Sequence, residues 1–115
     1  MRQSRFGIVR YASVTQAIVA ELAMGAAPVC TIGAGRISII FKGIGASRWA
    51  EPAQLELSHR AARIARRILK ADVRGDVRSR ADRAIVVVYE DTGAAEGSIV
   101  TSRWECVIPS SREDH

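Results

Sequence analysis

A chain of 115 residues, 48% hydrophobic and 25% charged, holds apolar material for one packed domain and is too short for two. That balance argues against disorder over the whole length, and no run approaches the roughly 20 apolar residues of a membrane span. The net charge of +5 rests almost wholly on arginine, because only Lys42 and Lys70 are lysine. Arginine richness suits phosphate or nucleic-acid recognition through its planar fork, and it follows equally from a GC-rich genome. The expectation is a single α+β domain over residues 1–109, with a flexible tail at 110–115.

The opening residues place arginines before an apolar stretch, as a signal peptide does, but Gln16 and Glu21 interrupt it and make it amphipathic. A cytoplasmic protein is therefore expected. Residues 2–10 fit either a short strand around Phe6, Ile8 and Val9 or the first turns of a helix. Ser13 is a good N-cap, and Val14, Ala17, Ile18 and Leu22 keep helical spacing behind it. Gly25 and Pro28 then stop the helix, with Val14, Ile18 and Leu22 facing the core.

Val29–Ile32 and residues 36–44 are β-rich runs separated by GAG, which suits a tight hairpin; the alternative leaves the first run as loop. Ile40 breaks the alternation of the second run, so that strand is expected to be central or covered on both faces. The turn GIGASR leads into an amphipathic helix over residues 52–72, with Pro52 at its first position. Leu57, Ala61, Ile64, Ala65 and Ile68 form its apolar stripe, while Arg60, Arg63, Arg67, Lys70 and Arg74 form the opposite one.

A polar connector, DVRGDVRSRADR, precedes AIVVVYE, the clearest strand in the chain. DTGAAEG reads as a loop, and SIVTSRWECVI as a second strand with Val100, Trp104, Cys106 and Ile108 on one side and Thr101, Arg103 and Glu105 on the other. The fold class that results is α+β, with a three- to four-stranded antiparallel or mixed sheet and two helices on one face. The span from Arg36 to Glu90 is long enough for a β-α-β crossover. Each helix is followed by a hairpin, so the chain divides into two halves of like order if Val29–Ile32 is a strand.

Two places could carry chemistry. The glycine-rich turn exposes N–H groups at a helix start, so Gly43, Gly45, Ser47 and Arg48 form a candidate anion site. Arg48 stands where the G-x-G-x-x-G fingerprint has its third glycine, and no Walker lysine follows. The basic stripe of Arg60, Arg63, Arg67, Lys70 and Arg74 could track a phosphate backbone. It reads equally as a solvated helix face, and no base-stacking aromatics are interleaved with it.

Cys30, Cys106, His59 and His115 match no zinc-finger spacing, so no metal is expected, and no cofactor. His59 has no evident partner as a general base, and no set of nucleophile, base and orienting group can be assembled. Trp49 and Trp104 read as core or interface anchors. Glu90 and Asp91 read as turn residues rather than a carboxylate pair. AIVVVYE is apolar on both faces: it is central, or a second copy of the chain covers it. The expected function is thus a non-enzymatic binding or assembly domain that self-associates. A small enzyme or anion-binding protein at the glycine-rich turn and a nucleic-acid-binding protein using the arginine stripe are the alternatives.

Overall fold

The computed structural model describes residues 9–33 and 35–110. Phe6 and Ile8, read as a short strand or the first turns of a helix, and residues 111–115 of the expected tail, with His115, lie outside them. Among the described residues the order is β1 (Val9–Arg10), α1 (Ala12–Leu22), β2 (Val29–Ile32), β3 (Arg36–Lys42), α2 (Glu51–Lys70), α3 (Gly75–Arg78), β4 (Ala84–Ala95) and β5 (Ser98–Ile108). This is one compact α+β domain. Its sheet has five strands rather than three or four, because β1 adds a two-residue edge.

Tertiary contacts, not caps, set the helix starts. α1 begins at Ala12, so Ser13 lies inside the first turn and is no N-cap. Tyr11 fixes that start: its side chain is buried and its N–H donates to the Cys30 carbonyl at 2.9 Å, holding it to β2. The helix ends where Ala23 turns left-handed, before Gly25. Val14 and Ile18 are fully buried, with Leu22 packed against them. α2 begins at Glu51, which puts Pro52 at its second position, still ahead of the first obligatory N–H. The polar connector contains α3, which buries Val77.

The strands lie in the order β1-β2-β3-β4-β5. β3 and β4 are parallel, with Ile37 opposite Ile85 and Phe41 opposite Tyr89, and α2 supplies the crossover between them. All other neighbours are antiparallel. The two helix-plus-hairpin halves therefore meet along the β3–β4 pair. Ile37, Ile39 and Phe41 of β3 and Ile85, Val87 and Tyr89 of β4 face the helices in one core. Val86 and Val88 are buried on the opposite face. β4 is thus apolar on both faces because it is central, with a neighbour on each side.

The main correction falls on residues 91–95. They continue β4 rather than forming a loop, and the turn is only Glu96 and Gly97, at φ 52° and 81°. Positive φ at both central positions is the type I′ geometry that matches strand twist. Gly97 takes this conformation freely, whereas Glu96 takes it against the usual preference of a side-chain-bearing residue. Gly93, Ala94 and Ala95 are weak strand formers. Pairing with Val100, Ile99 and Ser98 of β5 keeps them extended.

Beyond Glu90, β4 has no β3 partner, so the β4–β5 ribbon runs on as a two-stranded arm. Every residue from 92 to 101 is exposed. The arm contributes to a radius of gyration of 15.1 Å and extents of 50 × 35 × 28 Å; a compact domain of this length would give about 13 Å.

Candidate functional site

The glycine-rich turn closes on a carboxylate of the chain itself. Gly45, at φ 79°, bends the backbone so that its N–H and that of Ser47 point to one place. Asp91 fills that place: Gly45 N donates to Oδ1 at 2.7 Å, Ser47 N donates to Oδ2 at 2.9 Å, and Ser47 Oγ donates to Oδ2 as well. Asp91 is only 5% exposed, on the helix-facing side of β4 where the arm leaves the core. Burial pushes its carboxyl up, but the three donors and the nearby Arg48 guanidinium outweigh that and hold it below the ordinary carboxylate range.

Asp91 therefore works as a clamp between the β3–α2 turn and the base of the arm, and not as a turn residue. Gly43 N is also engaged, donating to the Glu90 carbonyl at 2.8 Å. Arg48 is exposed, and its guanidinium lies over the arm, 3.9 Å from where a side chain on Gly93 would begin.

A second polar cluster sits under α2. Ser58 Oγ and Tyr89 Oη share a hydrogen bond at 2.8 Å in which either hydroxyl can donate, and both reach the Gln54 carbonyl, at 2.7 and 3.3 Å. Gln54 Nε2 donates to the Ala46 carbonyl at 2.8 Å, tying α2 to the turn before it. The Tyr89 ring stacks between Phe41 and Trp104, at centroid distances of 5.4 and 5.7 Å. Burial pushes the phenol up to about 12, despite the opposing bond from Ser58. The Cys106 thiol is also pushed up by burial, and the Cys30 thiol rises to about 12 for the same reason. Burial holds these groups neutral, the opposite of an activated nucleophile. His59 is exposed on α2, away from this cluster.

α2 ends at Lys70, so Arg74 of the expected basic stripe lies beyond it at the entry to α3, and the stripe is partly neutralised within the chain. Arg67 pairs with Glu21 of α1, Lys70 with Asp82 at 3.3 Å, and Arg74 with Asp72 at 3.0 Å. Arg74 also stacks over the Tyr11 ring at 5.6 Å. Arg60 and Arg63 line a shallow hollow with Glu21, Leu22, Ile64 and Arg67. Arg66, outside the expected stripe, has the most specific role. It donates to the carbonyls of Ala81, Arg83 and Pro109 at 3.0, 2.8 and 2.6 Å, joining α2 to the start of β4 and the end of β5. Trp49, 42% exposed, lies instead in a groove with Leu22, Met24, Ile44 and Leu57.

The most open surface is the outer edge of β5. A two-residue turn closes on a hydrogen-bonded pair, here Ala95 with Ser98, and bonded pairs then alternate with unbonded ones. Val100, Ser102, Trp104 and Cys106 thus turn their main-chain groups to β4. Thr101, Arg103, Glu105 and Val107 turn theirs outward. The Glu90 carbonyl, directed to Gly43 just past the end of β3, fixes the same parity, since Glu90 lies opposite Arg103.

On the face away from the helices, Arg103 bonds Glu90 at 2.8 Å and Glu105 at 2.9 Å. Ile99 and Val107, 80% and 58% exposed, lie along the same edge. Among the described residues β1 offers two at the other edge, and β5 offers eleven.

No protein-family model matches the chain, and no curated protein or solved structure is significantly similar to it. Among the described residues no helix is long and apolar enough to cross a membrane, and no cluster of potential metal ligands is found.

Proposed function

We propose that this chain is a non-enzymatic assembly domain that works as a homo-oligomer. The observation that carries this reading is the eleven-residue outer edge of β5, whose outward main-chain groups have no partner among the described residues and which carries apolar side chains. Edges of this length are normally shielded by a bulge, a proline or inward charge. β5 runs from Ser98 to Ile108 in unbroken register with β4, and its first proline is Pro109. The apolar character of β4, explained by its central place, no longer bears on association. The polar groups that could serve chemistry are committed to structure: the glycine-rich turn to Asp91, Ser58 to Tyr89 and Gln54. Sedimentation velocity across a concentration series tests the proposal. A species that grows with concentration is expected, and a monomer at high micromolar concentration would refute it.

One observation favours a second reading, an anionic partner. Arg60 and Arg63 share a hollow, and among the described residues neither makes an ion pair. Binding there would fall with salt in proportion to the phosphates neutralised. The free thiols of Cys30 and Cys106 fit a reducing, cytoplasmic setting for either role.

A further inference from the structure

We infer that two copies join through β5, antiparallel about a two-fold axis through Trp104, into one continuous sheet. This rests on the assembly reading above and adds its partner surface and register. Only residues whose main-chain groups point outward can bond across the edge, so odd-numbered residues must face odd-numbered ones: Thr101, Arg103, Glu105 and Val107. A two-fold on Arg103 would set that arginine against itself, and one on Glu105 would do the same with carboxylates. Like charges directly opposite are unfavourable.

The two-fold on Trp104 gives a different match. Arg103 of each copy lies opposite Glu105 of the other, and Thr101 lies opposite Val107. Each of these is a pair of outward-turned residues, so each exchanges two main-chain bonds. Charge then alternates along the row from Lys42 through Glu90 and Arg103 to the second copy's Glu105, extending the intrachain contacts of 4.0 Å between Lys42 and Glu90 and 2.8 Å between Glu90 and Arg103. On the helix-facing side, Ser102 would lie opposite Cys106, and the two Trp104 rings would meet at the axis, each already stacked on its own Tyr89. Exposed Val107 and half-exposed Val100 (49%) would gain neighbours across the axis. An axis perpendicular to the sheet keeps the helices of both copies on one face. Opposite charges two residues apart on an open edge are self-complementary about the residue between them, whereas like charges would guard it.

Charge reversal reads the register directly. In Glu105→Arg alone, two Arg–Arg pairs face each other; in Arg103→Glu alone, two Glu–Glu pairs do. Each variant should lose about tenfold to thirtyfold in dimer affinity, at roughly 1 kcal/mol for each reversed pair. Mixed in equal amounts, they form a hybrid in which both pairs are opposite in sign. The mixture should therefore associate where neither variant does alone, with circular dichroism confirming that each stays folded. If wild type dimerises but both variants dimerise equally well, or the mixture fails to recover, this register is wrong while self-association stands. A monomeric wild type would overturn both.

Discussion

Replacing Asp91 removes the carboxylate on which the β3–α2 turn and the arm both depend. Three donors converge on it, two of them main-chain N–H groups that have no other partner in the turn. A hydrogen bond to a charged group contributes about 1.5–3 kcal/mol, and an orphaned buried donor costs about 1–3 kcal/mol. The gross loss is offset by the desolvation that the carboxylate itself suffers, and by water reaching a site at the protein rim. For Asp91→Ala this leaves a net loss of about 3–5 kcal/mol, a large share of the 5–15 kcal/mol that holds a typical domain. Asp91→Asn keeps one acceptor oxygen and should cost about 1–3 kcal/mol.

Urea denaturation provides the assay. With a slope of about 1–3 kcal/mol per molar, the Ala variant's midpoint should fall by about 1–5 M at unchanged slope. The pH dependence follows from the lowered carboxyl value. The clamp's contribution is complete above the unfolded aspartate value of about 3.9 and is lost as pH falls through the lower folded one. The gap between wild type and Asp91→Asn should therefore be constant at neutral pH and narrow in acid. Formate should restore part of the Ala variant's stability by occupying the vacated donors. A loss within about 0.5 kcal/mol, as at an ordinary surface site, would refute the clamp.

Other substitutions test separate parts of the fold. Ile64→Ala should cost about 2–5 kcal/mol in the same denaturation experiment, because Ile64 is buried in the core of α2. Arg66→Ala should cost about 1–3 kcal/mol by freeing the carbonyls of Ala81, Arg83 and Pro109, and Arg66→Lys should recover only part of this, because one ammonium cannot span three acceptors. If Arg60 and Arg63 form a working anion-binding surface, low-salt binding of a nucleic-acid duplex should show a salt slope that flattens by about two units when both are replaced. Weak binding that follows net charge alone is the outcome expected of a solvated face.

The sequence carried the layout further than the site. Periodicity locates α2, β3 and the β4–β5 pairing partners, since strands and long amphipathic helices leave their mark within a few residues, while it left β2 open between strand and loop. Residues 91–95 were illegible for a local reason: Gly93, Ala94 and Ala95 have loop-like composition, and only the partner strand keeps them extended. That error hid Asp91, because its meeting with Gly45 and Ser47, more than forty residues away, depends on β4 continuing in the same parity. The glycine-rich turn was recognised as a place where N–H groups converge; that the chain supplies its own anion was not visible.

Arg66 stood among equally basic neighbours. Its one distinguishing mark was its offset from the stripe of Arg60, Arg63 and Arg67, and its carbonyl partners lie at strand ends that only the fold brings together. Gln54 and Ser58 broke the apolar pattern of α2, and that break was the available sign of a buried partner such as the Tyr89 hydroxyl.

Residue-resolved amide exchange along β5, followed as a function of protein concentration, tests assembly through that edge most directly. In a single chain the N–H groups of Val100, Ser102, Trp104 and Cys106 are bonded to β4, while those of Thr101, Arg103, Glu105 and Val107 turn away from it and have no partner among the described residues. Raising the concentration should protect Thr101, Arg103, Glu105 and Val107, and dilution should release them, with the even-numbered residues little changed. If those four amides exchange equally fast at every concentration, β5 is not the assembly edge.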